Sequence, residues 1–95
     1  MRISNVQKEF LKQCMQKIDT DARMFLFGSR IDEHQRGGDI DLLLFSKKMK
    51  RTDLWKIRQP FCEKFGEQKI DIVLSSPDAE RSAFVQHILF QAIEL

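Results

Sequence analysis

Ninety-five residues suffice for one small core, so residues 1–95 read as a single domain. With 42% hydrophobic and 32% charged residues, eight Phe and one Trp, the composition excludes a disordered polar segment. A formal net charge of +2 argues against direct nucleic-acid binding, no run approaches the ~20 apolar residues of a membrane span, and the Met1-Arg2-Ile3-Ser4 start lacks the apolar stretch of a secretory leader.

In chain order, Ser4 and Gln7 have the offset of a capping box and open a predicted helix. Its apolar stripe is Val6, Phe10, Leu11, Cys14, Met15 and Ile18, at a 3.6-residue period. Met24-Phe25-Leu26-Phe27, stopped by Gly28, reads as a buried strand. A polar loop over 30–38 leads to a second strand, Asp39 to Phe45. Thr52 is the expected cap of a helix presenting Leu54, Trp55, Arg58, Phe61, Cys62 and Phe65. Pro60 should kink or split that helix, and Gly66 should end it. Lys69 to Leu74 is a third strand, and Ser76-Pro77 opens a last helix that carries Phe84, Ile88 and Leu89 and runs towards Ile93. Two strands joined through a helix suggest a parallel pair. The expected fold is α/β (α+β): a small mixed sheet of at least three strands packed with helices. Cys14 and Cys62 fall at apolar helical positions, so both are expected as buried thiols, as suits a cytoplasmic protein.

The chemistry-bearing feature is acid inside the strands. Asp39 and Asp41 are two residues apart, so on a strand both project to one face, and Asp71 sits between Ile70 and Ile72 in the third strand. An ionised carboxylate buried in such apolar surroundings without a partner costs several kcal/mol or more, by order of magnitude. The plain reading places these acids at solvated strand ends or against Lys and Arg. The sharper one has all three converge on divalent metal, since magnesium takes a few carboxylates, retained waters and phosphate oxygens. Two such ions can serve an attacking oxygen and a leaving pyrophosphate.

Gly28-Ser29 stands where the first strand must turn. Glycine there permits close approach of a ligand to backbone N–H groups, Ser29 adds a hydroxyl donor, and Arg30 adds a fixed positive charge. A Gly-Ser pair alone is usually just a turn. Followed at this distance by Asp39-Ile40-Asp41 and later by Asp71, it supplies a phosphate cradle and a metal cage together.

The segment Leu26-Phe27-Gly28-Ser29-Arg30, continuing to Gly38-Asp39-Ile40-Asp41-Leu42, resembles the minimal nucleotidyltransferases of the DNA polymerase β superfamily. Strand order and the third acid at Asp71 extend the resemblance over nearly the whole chain. The resemblance implies that Gly28 and Ser29 hold the triphosphate of ATP and that Asp39 and Asp41 bind magnesium. It further implies that Asp71 joins the metal site or activates the acceptor hydroxyl. Many relatives have Ser before the first aspartate; here it is Gly38, which removes a hydroxyl contact and leaves the acids in place. Relatives of this size resemble half of a two-gene pair. The other half is a helical HEPN protein, often an RNase toxin, which the nucleotidyltransferase antitoxin silences by attaching AMP to a tyrosine.

The chain looks too short to hold an acceptor site of its own, and a protein acceptor follows from that. Two other readings compete: a non-catalytic nucleotide-binding antitoxin or subunit that blocks its partner by contact, and a transferase for a small molecule within a larger assembly. The intact acids speak against the first, and no acceptor pocket is visible for the second. The oligomeric state is left open, a homo-oligomer included. His34 reads as a solvated loop histidine, and His87 has no second zinc ligand at a suitable spacing. The basic cluster Lys47, Lys48, Lys50 and Arg51 reads as a solvated loop, with an acidic partner or RNA phosphate as the alternative, and Trp55 as core.

Overall fold

A computed structural model of the chain describes residues 3–28, 40–66, 69–76 and 82–95. Helix α1 (Asn5–Ile18) opens on the expected capping box. Ser4 Oγ accepts from the Gln7 N–H at 3.1 Å, and Gln7 Oε1 accepts from the Ser4 N–H at 3.0 Å, so two otherwise orphaned donors are satisfied. The helix buries Leu11, Cys14 and Met15, while Val6, in its first turn, lies outside the core.

Strands β1 (Arg23–Phe27), β2 (Ile40–Phe45), β3 (Ile70–Ser75) and β4 (Ile93–Glu94) form a mixed sheet in the order β3-β2-β1-β4. β1 is antiparallel to both β2 and β4, and β2 is parallel to β3, the pair joined through helix α2 (Trp55–Phe65). Side chains alternate across the sheet. Met24, Leu26, Ile40, Leu42, Leu44 and Ile70 lie on the face covered by α1 and α2, in the cluster that includes Leu11, Met15, Ile57 and Phe61. Phe25, Leu43 and Phe45 lie on the other face, under helix α3 (Ala83–Gln91), with Val85 and Ile88. The α1–α2 seam is aromatic: Phe10 packs edge-on to Phe65 at 5.5 Å and Phe61 lies 4.8 Å from Phe65 between ring centroids.

Several expectations need correction. Thr52 does not cap α2; it lies in a single 3-10 turn, Arg51–Asp53, and Leu54 stands at the helix start without a side-chain cap bond. Pro60 does not split α2, which is one helix from Trp55 to Phe65. Pro60 removes one donor from that helix, and the burial of Ile57 and Phe61 on either side holds the helix to the sheet. The buried face of α2 runs through Leu54, Ile57 and Phe61, leaving Trp55 56% exposed rather than in the core. Facing Ile57 inward turns the neighbouring Arg58 outward, where its guanidinium stays hydrated. Cys62 is half-buried, and only Cys14 is a buried thiol; burial pushes its pKa up, with Lys17 opposing. Gly66 ends α2 as expected, with φ +89°.

Helix α3 begins at Ala83 with Ser82 as its N-cap, whose Oγ accepts from the Val85 N–H at 3.2 Å. Ser76 follows β3 directly, Pro77 lies outside the described residues, and so does the side chain of Phe84. The helix stops at Gln91 instead of running to Ile93, because Ile93–Glu94 pairs with the open edge of β1. An Arg23–Glu94 ion pair clips this short strand in place, Nε to Oε2 at 2.9 Å and Nη2 to Oε1 at 3.0 Å.

Candidate active site

The register of the sheet assembles the site. Phe27 pairs with Asp41 across the antiparallel β1–β2 ladder, and Asp41 pairs with Asp71 across the parallel β2–β3 ladder. The end of β1 and the starts of β2 and β3 therefore meet at one end of the sheet. Residues paired in register project to the same face, so the Asp41 and Asp71 side chains are neighbours on the face that α3 also covers.

Gly28 follows Phe27 with φ +77°, a left-handed conformation that favours glycine. A β-carbon built there would collide with Asp41 Oδ2 and lie 3.2 Å from its Cγ. The turn thus brings bare backbone against a carboxylate, which fills the space a side chain at this position would need.

Asp41 is half-buried and Asp71 exposed. Lys69, two residues before Asp71 and so on the same side of the chain, brings Nζ to 3.8 Å from Asp71 Oδ2. Lys69 was not singled out from the sequence, although the Lys-x-Asp spacing in a strand carries the signal. Ser29, Arg30, His34 and Asp39 lie outside the described residues, so the described part of the expected set is Gly28, Asp41 and Asp71. Among the described residues no group of three His, Cys, Asp or Glu is placed to hold a metal ion.

Two adjacent carboxylates are hard oxygen donors of the kind magnesium accepts, and like charges this close favour a cation between them. The donor set fits a divalent ion carrying phosphate. A separate hollow between α1 and α2, lined by Phe10, Cys14, Lys17 and Pro60, lies on the other sheet face and contains none of these groups.

A buried polar pair, also not anticipated, ties α1 to the end of β2. The Ser46 hydroxyl donates to Asp19 Oδ2 at 2.6 Å and accepts from the Met49 N–H at 3.0 Å, while the Asp21 N–H donates to Asp19 Oδ1 at 3.0 Å. These bonds, the hydroxyl's first, hold the Asp19 carboxyl below its ordinary pKa. They lie at the opposite end of β2 from Asp41 and are structural.

The family model described as nucleotidyltransferase domain matches residues 8–94, and the chain belongs to that family. No curated protein matches the chain. Among solved structures, the chain is similar to a chain of the tri-AMPylated Shewanella oneidensis HEPN toxin in complex with MNT antitoxin. The TM-score is 0.62 at 14% identity, over 97% of this chain and 71% of that one. Likeness at that identity is a likeness of fold. Among the described residues no helix is long and apolar enough to cross a membrane.

Proposed function

We propose that this chain transfers AMP from ATP to a hydroxyl, that of a tyrosine, on a HEPN-type helical toxin, and so acts as its antitoxin. The observation that carries the reading is the in-register pair Asp41 and Asp71 beside Gly28. The structural neighbour, a HEPN toxin bearing AMP in complex with an MNT antitoxin, supports the choice of acceptor.

In this reading Gly28 and Ser29 receive the triphosphate and Arg30 neutralises part of its charge. Asp41 and Asp71, together with Asp39, would hold divalent metal, two magnesium ions, which supplies positive charge to the triphosphate when bound. The acceptor oxygen forms a bond to the α-phosphorus, the bond from that phosphorus to the α,β-bridging oxygen breaks, and pyrophosphate leaves with the bonding pair. The hydroxyl proton passes to Asp71, which is exposed where Asp41 is half-buried. Positioning and electrostatics supply most of the rate. The proposed location is the cytoplasm, where Cys14 and Cys62 remain free thiols.

The test is to incubate the chain and the HEPN-type protein with ATP and magnesium. The partner's mass should rise by one or more AMP units, and Asp41→Asn should prevent it. If the mutant neutralises the partner equally well with no mass change, the chain is a binding antitoxin.

A further inference from the structure

Helix α3 differs from the rest of the surface. In a chain with 32% charged residues, its sequence Ala-Phe-Val-Gln-His-Ile-Leu-Phe-Gln contains no Asp, Glu, Lys or Arg. Val85 and Ile88 face the sheet, and the outward stripe is Ala83, Gln86, His87, Phe90 and Gln91. Phe90 is 89% exposed at its centre. An aromatic anchor set among uncharged hydrogen-bonding side chains and free of charge is the composition of a protein–protein interface core. A solvated helix face of this chain would carry charge, as the exposed residues Lys56, Arg58 and Glu63 of α2 do.

The stripe is also placed where an acceptor must come. α3 covers the sheet face from which Asp41 and Asp71 project. Its C-terminal end returns to the sheet where Ile93 pairs with Leu26, one residue before the Phe27 that pairs with Asp41. At roughly 4.8 Å per strand, β4 lies about two strands, on the order of 10 Å, from the Asp41 column.

We infer that the α3 stripe centred on Phe90 is the docking surface for the protein acceptor, which presents an uncharged apolar patch to it and a hydroxyl to Asp41 and Asp71. The inference rests on the protein-acceptor reading above. It adds that affinity for the acceptor resides on α3 and not on the basic, Trp55-bearing side of the molecule.

The experiment uses the full chain and the purified HEPN-type protein, with binding followed by calorimetry and transfer by mass spectrometry. Phe90→Asp and, independently, Gln91→Arg should each weaken binding, the first by about 30-fold or more, the size of an interface hot spot. The KM for the acceptor should rise with little change in kcat. Circular dichroism and stabilisation by magnesium-ATP should match the native chain, because both positions are exposed, and Trp55→Ala should bind as the native chain does. Native-like binding by both α3 variants, or weakened binding by Trp55→Ala alone, overturns the inference. So does a native dimer that Phe90→Asp disperses, since the face would then join two copies of this chain. Binding that depends on Phe90 with no transfer by the native chain leaves the docking surface standing and removes the catalytic reading. Transfer by the native chain that is indifferent to both α3 variants does the reverse.

Discussion

A β-carbon on Gly28 would occupy the space of the Asp41 carboxylate. The relationship couples the turn after β1 to the first acid described in β2, two positions brought together by the Phe27–Asp41 pairing. It makes Gly28→Ala a specific test. A left-handed alanine costs about 1–2 kcal/mol in backbone energy, and the displaced carboxylate adds to it. The variant should fold with a lowered Tm and lose stabilisation by magnesium-ATP, which in the native chain amounts to about 2.7 kcal/mol at a ligand concentration 100 times Kd. Scanning calorimetry with and without nucleotide reads both effects. An unchanged nucleotide shift in Gly28→Ala would mean that this turn does not shape the site.

The corrected face of α2 gives a paired prediction. Phe61 is fully buried and Trp55, six residues before it on the same helix, is 56% exposed. Phe61→Ala should cost about 3–5 kcal/mol, as truncations of buried Phe do. Trp55→Ala should change stability by no more than about 0.5 kcal/mol, as surface substitutions do. Urea unfolding of the two variants decides it, and comparable losses would restore Trp55 to the core.

The Asp19–Ser46 pair predicts an acid-sensitive component of stability. With its folded pKa held below the ordinary value, Asp19 contributes stability that is complete above the unfolded pKa, near 3.9, and is lost as pH falls through the lower folded value. Ser46→Ala leaves a buried acceptor without its hydroxyl and should cost about 1–3 kcal/mol at pH 7. Its deficit should shrink as pH falls through the lowered folded value, below which the carboxyl is protonated in both proteins. Denaturant titrations at neutral and acid pH check this, and a deficit that grows on acidification would contradict it.

Much of this architecture was legible in the residues. Ser4 and Gln7 announced α1, Met24 to Phe27 and Leu42 to Phe45 announced strands, and the helix between β2 and β3 announced their parallel pairing. β4 was not legible because two residues carry no periodicity; its pairing comes from the open edge of β1 and the Arg23–Glu94 clip. The inward face of α2 was missed because stripes through Trp55 and through Ile57 both satisfy a helical period. Only packing on the sheet chooses between them. For the site, the alternation of strands placed Asp71 among the chemistry-bearing residues. The Gly28–Asp41 contact could not be read, since it depends on the register across the β1–β2 connection.

In the proposed reaction the α-phosphate of ATP, with its nucleoside, moves to a protein hydroxyl under the control of the acids at the starts of β2 and β3. The most direct measurement is incubation of chain and HEPN-type partner with magnesium and ATP labelled at either the α- or the γ-phosphate. Label should reach the partner from α-labelled ATP only, and be lost in Asp41→Asn and Asp71→Asn. Label from γ-labelled ATP, or α-label that persists in both variants, would contradict it.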